Sequence, residues 1–216
     1  MKTKFISLAL VLFLVAGCNW KGIRGNGVVK TETRSVTAFS KIDAGGFFEL
    51  SWQPGPPSVT VTTDENLLSH ITTEVTGDQL KIGMDGPIMM SNGIKVMVTS
   101  PSLTTAELSG AVEFTAKSLV GPKFFLDTSG AAKVTLSGKT ARLLANLTGA
   151  SKLSADELQA EDVELSVHGA GQADVTETNT LKAAITGAGK VVYGGSPKSV
   201  EKKITGAGKI EPRDQQ

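Results

Sequence analysis

Six short segments of this chain share a Gly-Ala core and follow one another at nearly constant intervals. They are Leu108-Ser-Gly-Ala-Val112, Thr128-Ser-Gly-Ala-Ala132, Leu147-Thr-Gly-Ala-Ser151, Val167-His-Gly-Ala-Gly171, Ile185-Thr-Gly-Ala-Gly189 and Ile204-Thr-Gly-Ala-Gly208. Their first glycines, Gly110, Gly130, Gly149, Gly169, Gly187 and Gly206, stand 20, 19, 20, 18 and 19 residues apart. A period of this size marks a repeat architecture. Between the glycines, as in Lys133-Val-Thr-Leu-Ser137 and Asp162-Val-Glu-Leu-Ser-Val167, apolar and polar residues alternate. That is the period of a half-buried strand, and no window keeps a helical spacing.

A unit of about nineteen residues with two short strands and two turns cannot bury its own apolar face. Stacked copies can, each coil lying about 4.8 Å above the last so that inward residues pack on their equivalents. The expected fold is therefore all-β, a β-solenoid of the right-handed parallel β-helix type with coils of about nineteen residues. The alternative is a β-sandwich of hairpins, in which the same spacing would mark alternate turns. In the solenoid, the Gly-Ala pair is a corner: glycine supplies the positive φ of a sharp bend, and alanine is small enough to stack beside it. Gly171, Gly189 and Gly208 are second corner glycines. Val112, Ala132 and Ser151 stand at that place in the earlier units, which are accordingly expected to turn differently.

Upstream, strands are expected at 36–42, 47–53, 58–63, 71–75, 79–83 and 94–99, with a short helical turn capped by Asp64 at 64–70. After the first apolar run, phenylalanines occur only at Phe39, Phe47, Phe48, Phe114, Phe124 and Phe125, so the last coils must close on small residues. The organisation expected is one body over 25–212, with an aromatic-rich front (25–107), a repetitive rear (108–212) and a disordered tail (213–216).

The first seventeen residues read as an address. Lys2 and Lys4 precede a 13-residue apolar run from Phe5 to Gly17, a length suited to a signal peptide and too short to span a bilayer. The run ends Val15-Ala-Gly-Cys18, and Cys18 is the only cysteine of the chain, so it has no disulfide partner within it. This ending resembles the lipobox of bacterial lipoproteins. The resemblance implies cleavage before Cys18, its acylation (palmitate included), a linker over 18–24 and, because Asn19 is not Asp, export to the outer membrane. An ordinary cleaved secretion signal with a chance cysteine is the other reading.

The remaining side chains argue against several chemistries. Lys plus Arg is 22 and Asp plus Glu 21, so no net charge draws the chain to nucleic acid. Gly169-Ala-Gly171 and its later copies lead into strand-like runs, whereas a phosphate-binding loop leads into a helix. The calcium nonapeptide needs its Gly-Asp spacing every nine residues, and Gly169 to Asp174 offers it once at the wrong offset. With only His70 and His168, and Cys18 committed to lipid, no zinc cluster is expected. His168 takes a place filled by Ser or Thr in the other five repeats. No Gly-x-Ser-x-Gly elbow occurs. Asp156, Glu157, Glu161 and Asp162 read as a solvated outer turn, and the Asn146-Leu-Thr148 sequon has no consequence in a bacterial lipoprotein. Neither cofactor nor metal nor catalytic residue is expected.

Ordered pieces from Gly25 to Ile210 resemble the head GIN domain family, bacterial envelope proteins named as autotransporter adhesins and without an assigned function. They are Gly25-Asn-Gly27, Thr31-Glu-Thr-Arg34, Phe39-Ser-Lys-Ile42, Phe47-Phe-Glu-Leu50, Asp64-Glu-Asn-Leu-Leu68, Gly77-Asp-Gln-Leu-Lys-Ile82, the Gly-Ala-Gly corners and Tyr193-Gly-Gly-Ser-Pro197. The expected role is a non-catalytic, membrane-anchored envelope protein whose outward Ser, Thr and Lys ladders bind a glycan or an envelope or host protein. A periplasmic component with a protein partner, and a polysaccharide-acting β-helix enzyme, are the alternatives. Lys198, Glu201, Lys202, Lys203, Lys209, Glu211 and Arg213 crowd the last coil, where charge discourages one solenoid from stacking on the next.

Overall fold

The structure, a computed structural model, describes residues 22–213. Its strands are β1 (Ile23–Arg24), β2 (Val29–Arg34), β3 (Lys41–Gly46), β4 (Glu49–Pro54), β5 (Ser58–Asp64), β6 (Ile71–Thr76), β7 (Gln79–Met84), β8 (Ile88–Met89), β9 (Lys95–Ser100) and β10 (Thr105–Gly110). They continue as β11 (Glu113–Gly130), β12 (Lys133–Gly149), β13 (Lys152–Gly169), β14 (Gln172–Gly187), β15 (Lys190–Gly195), β16 (Ser199–Gly206) and β17 (Lys209–Pro212). One 3-10 turn, Glu65–His70, is the expected helical turn.

The pairing is that of a β-solenoid, not of a hairpin sandwich. From β10 onward neighbouring strands are all parallel, and each long strand bends round an edge to serve two sheets. One sheet carries β3, β10, the second halves of β11 to β14, and β16. The facing sheet carries β4, the first halves of β11 to β14, β15 and β17. Between them lies a continuous core that includes Phe114, Leu126, Leu136, Leu143 and Leu165.

The corner row contains one more member than the sequence repeat. Gly46 pairs with Gly110, and the row runs on through Gly130, Gly149, Gly169, Gly187 and Gly206. At Gly130 φ is +111°, and a Cβ would sit 2.6 Å from the Gly110 carbonyl oxygen, so the conformation and the spacing both demand glycine. Each following N–H closes the bend on the previous coil, as when Ala131 donates to Gly110 O at 2.9 Å.

The second glycines have a different cause, and here the expectation is corrected. Coils bearing Val112, Ala132 or Ser151 turn as the others do: Lys133 N–H donates to Val112 O at 2.9 Å, and Lys190 N–H to Gly171 O at 2.9 Å. What changes is packing. The inward row after the corner shrinks from Phe48 through Val112, Ala132 and Ser151 to Gly171, Gly189 and Gly208. The inward row before it runs Ala44, Leu108, Thr128, Leu147, Val167, Ile185 and Ile204. Ala44 accompanies Phe48 at one end, and Ile185 accompanies Gly189 at the other. A Cβ on Gly189 would lie 2.7 Å from the Val167 Cγ1, so bulk has passed from one side of the corner to the other.

The front does not follow sequence order. β7 lies parallel to β3 and β9 parallel to β4, so residues 79–100 form a coil ahead of residues 41–54, and β10 and β11 stack behind them. Antiparallel β6 on β7, β5 on β9 and β2 on β5 then close the front edges. Asp64 does not cap the 3-10 turn with its side chain. Its carboxylate accepts from the backbone N–H of Gly27 (2.9 Å), Ser91 (3.0 Å) and Asn92 (3.1 Å) and from Asn92 Nδ2 (2.9 Å). Burial opposes its charge, yet these donors together hold the carboxyl below its ordinary range.

At the rear, β16 and β17 are the last strands. Lys202 takes the inward place held by Ala183 in the coil before, lies 4.8 Å from the centre of the Tyr193 ring and donates to Ile210 O at 3.2 Å. Arg213, the first residue of the expected tail, is held: its N–H donates to Tyr193 O at 2.7 Å and its guanidinium pairs with Asp174. Only 214–216 of that tail lie outside the described residues. No helix among the described residues is long and apolar enough to cross a membrane.

Candidate binding face

Strand register turns scattered polar residues into rows. On the outer side of the sheet built from β4 and the first halves of the long strands, one row reads Thr31, Thr62, Lys95, Glu49, Glu113, Lys133, Lys152, Gln172, Lys190 and Lys209. Two residues along, a second row reads Thr33, Thr60, Met97, Ser51, Thr115, Thr135, Ser154, Asp174, Val192 and Glu211. With strands about 4.8 Å apart, ten positions extend over roughly 43 Å.

Most of the charges in these rows are neutralised locally, Lys152 being in no ion pair among the described residues. Lys95 pairs with Glu49 at 2.9 Å, Lys133 with Glu113 at 2.6 Å and Lys190 with Glu211 at 3.0 Å, while Lys209 also reaches Glu211. Hydrogen bonds from Lys209 and Lys190 hold the Glu211 carboxyl below its ordinary range. These pairs are exposed, so each adds little to stability. Their effect is to leave a surface rich in hydroxyls and of mixed sign. At the front, Thr31 and Thr62 hydroxyls lie 2.8 Å apart and those of Thr33 and Thr60 3.3 Å. A shallow hollow of about 260 Å³ opens there between Ser51, Thr60, Met97 and Thr115.

The opposite outer face has a hydroxyl row beside the corner, formed by Ser109, Ser129, Thr148, His168, Thr186 and Thr205, all exposed. His168 therefore stands in a Ser/Thr row, as the repeat alignment indicated. Two residues back, Asp43, Glu107, Asp127 and Asn146 share a row, which places the sequon asparagine on the outer face. A wider depression of about 770 Å³ near the front is lined by Lys41, Gln79, Glu107, Lys123 and Phe125.

Asp156, Glu157 and Glu161 are exposed on the arc joining the two sheets. Asp162 accepts from Asn179 at 2.9 Å, and that bond, with one to Thr180, lowers its carboxyl from the ordinary value. Asp162 lines a hollow of about 260 Å³ with Arg142, Glu164, Thr180 and Lys182, and Asp156, Glu157 and Glu161 are not among its lining residues. His70 ends the 3-10 turn, about 100 residues in sequence from His168. Among the described residues, no group of three or more His, Cys, Asp or Glu is arranged to hold a metal ion. Cys18 lies outside the described residues.

Two features were missed at the sequence level. Gly46 and the Glu49 that follows it belong to the rows, but the 64 residues separating Gly46 from Gly110 conceal the repeat. Asp43-Ala-Gly-Gly46 followed by Glu49-Leu-Ser-Trp52 matches Glu107-Leu-Ser-Gly110 followed by Glu113-Phe-Thr-Ala116, and comparing those two stretches would have found it. The second is Glu177, whose polar neighbours in sequence suggest an outer turn. It is fully buried between Ala160 and Gly195, and neither carboxylate oxygen has a hydrogen-bond partner. Burial pushes its carboxyl up to about 7 against a smaller opposing pull from Arg213.

Comparison with known proteins places this geometry in a family. No curated protein sequence matches the chain. Among solved structures, a "putative adhesin" from Bacteroides fragilis is similar at 22% identity and a TM-score of 0.74, covering 89% of this chain and all of its own. A "putative adhesin" from Parabacteroides merdae follows at 21% and 0.58, covering 89% of this chain and 99% of its own. A "putative lipid binding protein" from Parabacteroides distasonis shares 22% with a TM-score of 0.56, covering 90% and 100%. At such identities these likenesses establish the fold. The family described as "Putative auto-transporter adhesin, head GIN domain" matches residues 38–197, from the strand that carries Gly46 to the Gly-Gly-Ser-Pro turn after Tyr193. The chain is a member of the head GIN domain family.

Proposed function

We propose that the protein is a non-catalytic envelope lipoprotein, anchored through an acylated Cys18 at the outer membrane, that binds a glycan or protein ligand along its outer polar rows. The observation that carries this reading is the register of the β4 face: hydroxyls recur at one height on successive coils, beside charges most of which are already paired. A row of this kind makes many weak contacts to an extended, repeating ligand, and the sum of such contacts gives avidity without a deep pocket. The signal and its Val15-Ala-Gly-Cys18 ending support the anchor, and the family description supports an adhesive role.

The test is binding of the mature chain to arrays of bacterial and host glycans and matrix proteins, repeated with Thr135→Glu plus Ser154→Glu. Both positions are outward, so folding should survive. The expected result is a ligand whose binding falls at least tenfold in the double variant at unchanged thermal midpoint. Binding that ignores the variant, or release of sugar fragments from a glycan, would reject the reading. Protease digestion of intact against lysed cells decides the side of the membrane: protection until lysis favours a periplasmic partner over an adhesive role.

A further inference from the structure

In every coil from Gly110 onward the residue after the corner glycine is alanine: Ala111, Ala131, Ala150, Ala170, Ala188 and Ala207. At the Gly46 corner it is Phe47, and that ring is 56% exposed. Glu49 N–H donates to Ile94 O at 2.9 Å, and a side chain on Gly46 would meet Met84, so Phe47 is bracketed by both ends of the 85–93 loop. This loop carries Met89 and Met90, 52% and 38% exposed. β1 runs beside it, Ile23 opposite Ile88 and Arg24 opposite Met89. Val28 and Val29, each 55% exposed, join the group through Asp64, whose carboxylate binds the N–H groups of Gly27, Ser91 and Asn92. Five large apolar side chains are therefore exposed on the segments that these bonds join, where the chain enters the fold.

The chain outside the structure says what faces them. Gly22, the first described residue, lies four residues after Cys18, and four residues span at most about 14 Å. We infer that this shoulder, formed by Phe47, Met89 and Met90 with Val28 and Val29, beds into the headgroup layer of the bilayer that holds the acylated Cys18. The front of the solenoid then rests on the membrane. Methionine suits the task because its flexible thioether adapts to an irregular apolar surface, and interfacial side chains enter only about 5–10 Å. The short linker makes a second, weak contact effective by holding it close to the surface. The polar rows then run away from the membrane, with β16 and β17 as the far end. This inference rests on acylation of Cys18.

Methionine oxidation tests it in the native chain. The acylated protein, in phosphatidylethanolamine–phosphatidylglycerol vesicles, is exposed to hydrogen peroxide, and sulfoxide formation at each methionine is followed by peptide mass spectrometry. The comparison is the mature chain exported behind an ordinary cleaved signal with Cys18→Ser, which receives no lipid. Met89 and Met90 are expected to oxidise several-fold more slowly in vesicles, while Met97, 48% exposed on the β4-face sheet, keeps its rate. Equal rates at Met89 and Met90 in the two forms, or slowing of Met97 by the same factor, would overturn the inference with the anchor intact. The N-terminal peptide from the same digest reports the anchor separately: a mass without acyl chains removes the lipoprotein reading, and the inference with it.

Discussion

The two ends of the solenoid solve one problem in opposite ways. A stack of parallel coils ends in open backbone edges and an uncovered core. At the front the chain folds antiparallel strands over the edges, reverses the order of two coils and fills the corner with Phe48. At the rear it adds no strand. The corner shrinks to Gly208, and Lys202 lies across Tyr193 where an apolar residue would otherwise face solvent. Val200 and Ile204 remain partly exposed beside it. A structured cap requires many residues with long-range contacts, while a charged residue on the last coil needs only one position in the sequence. The front is therefore irregular in sequence and the rear repetitive, although one core runs through both.

The largest difference between the ends is expected at the row beside the corner. Phe48 is buried in the core, and its ring and the Met84 side chain flank Gly46. Phe48→Ala should cost about 3–5 kcal/mol, the usual range for removing a buried aromatic ring. Urea unfolding measures it, and a loss below about 1 kcal/mol would mean that the front collapses around the change and that its bulk is not what seals the corner.

Glu177 marks where the rear departs from its own repeat. The equivalent inward places hold Thr140, Ala160 and Gly195, all neutral. In the unfolded chain the carboxyl titrates near 4.5, and in the fold near 7, so the folded state favours the proton. Stability contributed by the neutral form is complete below about pH 4.5 and is lost as pH rises through about 7. The full loss is roughly 3 kcal/mol, because each tenfold change in proton affinity is worth about 1.4 kcal/mol. Unfolding midpoints of the wild type should fall between pH 5 and pH 8, and Glu177→Gln should flatten most of that slope. A slope unchanged in Glu177→Gln would assign the pH dependence to other groups.

The periodic part of the molecule was legible in the sequence because each coil repeats the same physical demands. Glycine at the corner, alternation along the strand and a Ser or Thr before the corner recur often enough to fix the fold class and the rows. The front was legible only in part, as separate strands: 58–63 and 94–99 differ by a residue or so from β5 and β9, whereas 36–42 shares only two residues with β3, β2 was not expected, and the order of the strands in space was not readable. Nothing local distinguishes a coil that stacks behind its predecessor from one that stacks ahead of it. Asp64 illustrates the same limit. Its place before a helical turn suggested a cap, and its true partners lie 27 to 37 residues away. The register also showed that glycine serves two ends. Gly130 is required by backbone conformation, whereas Gly189 is required by the Val167 and Ile185 side chains packed beside it.

That distinction yields the smallest and sharpest effect. Gly189→Ala places a methyl 2.7 Å from Val167 Cγ1 and 2.9 Å from Gly171 O, at a φ that alanine can adopt. Overpacking of this kind costs about 1–3 kcal/mol. Val167→Ala alone opens a cavity and is destabilising in its own right. If bulk is exchanged across the corner, each change relieves the other, and the double variant should be more stable than the two losses predict by about 0.5–1 kcal/mol. Gly171→Ala offers the internal comparison, because the preceding coil already carries a Cβ at that place in Ser151 and the nearest atom would be 3.1 Å away. It should lose less than Gly189→Ala. Strict additivity of Gly189→Ala and Val167→Ala would mean that the two inward rows vary independently, and the gradient from Phe48 to Gly208 would then have no packing cause.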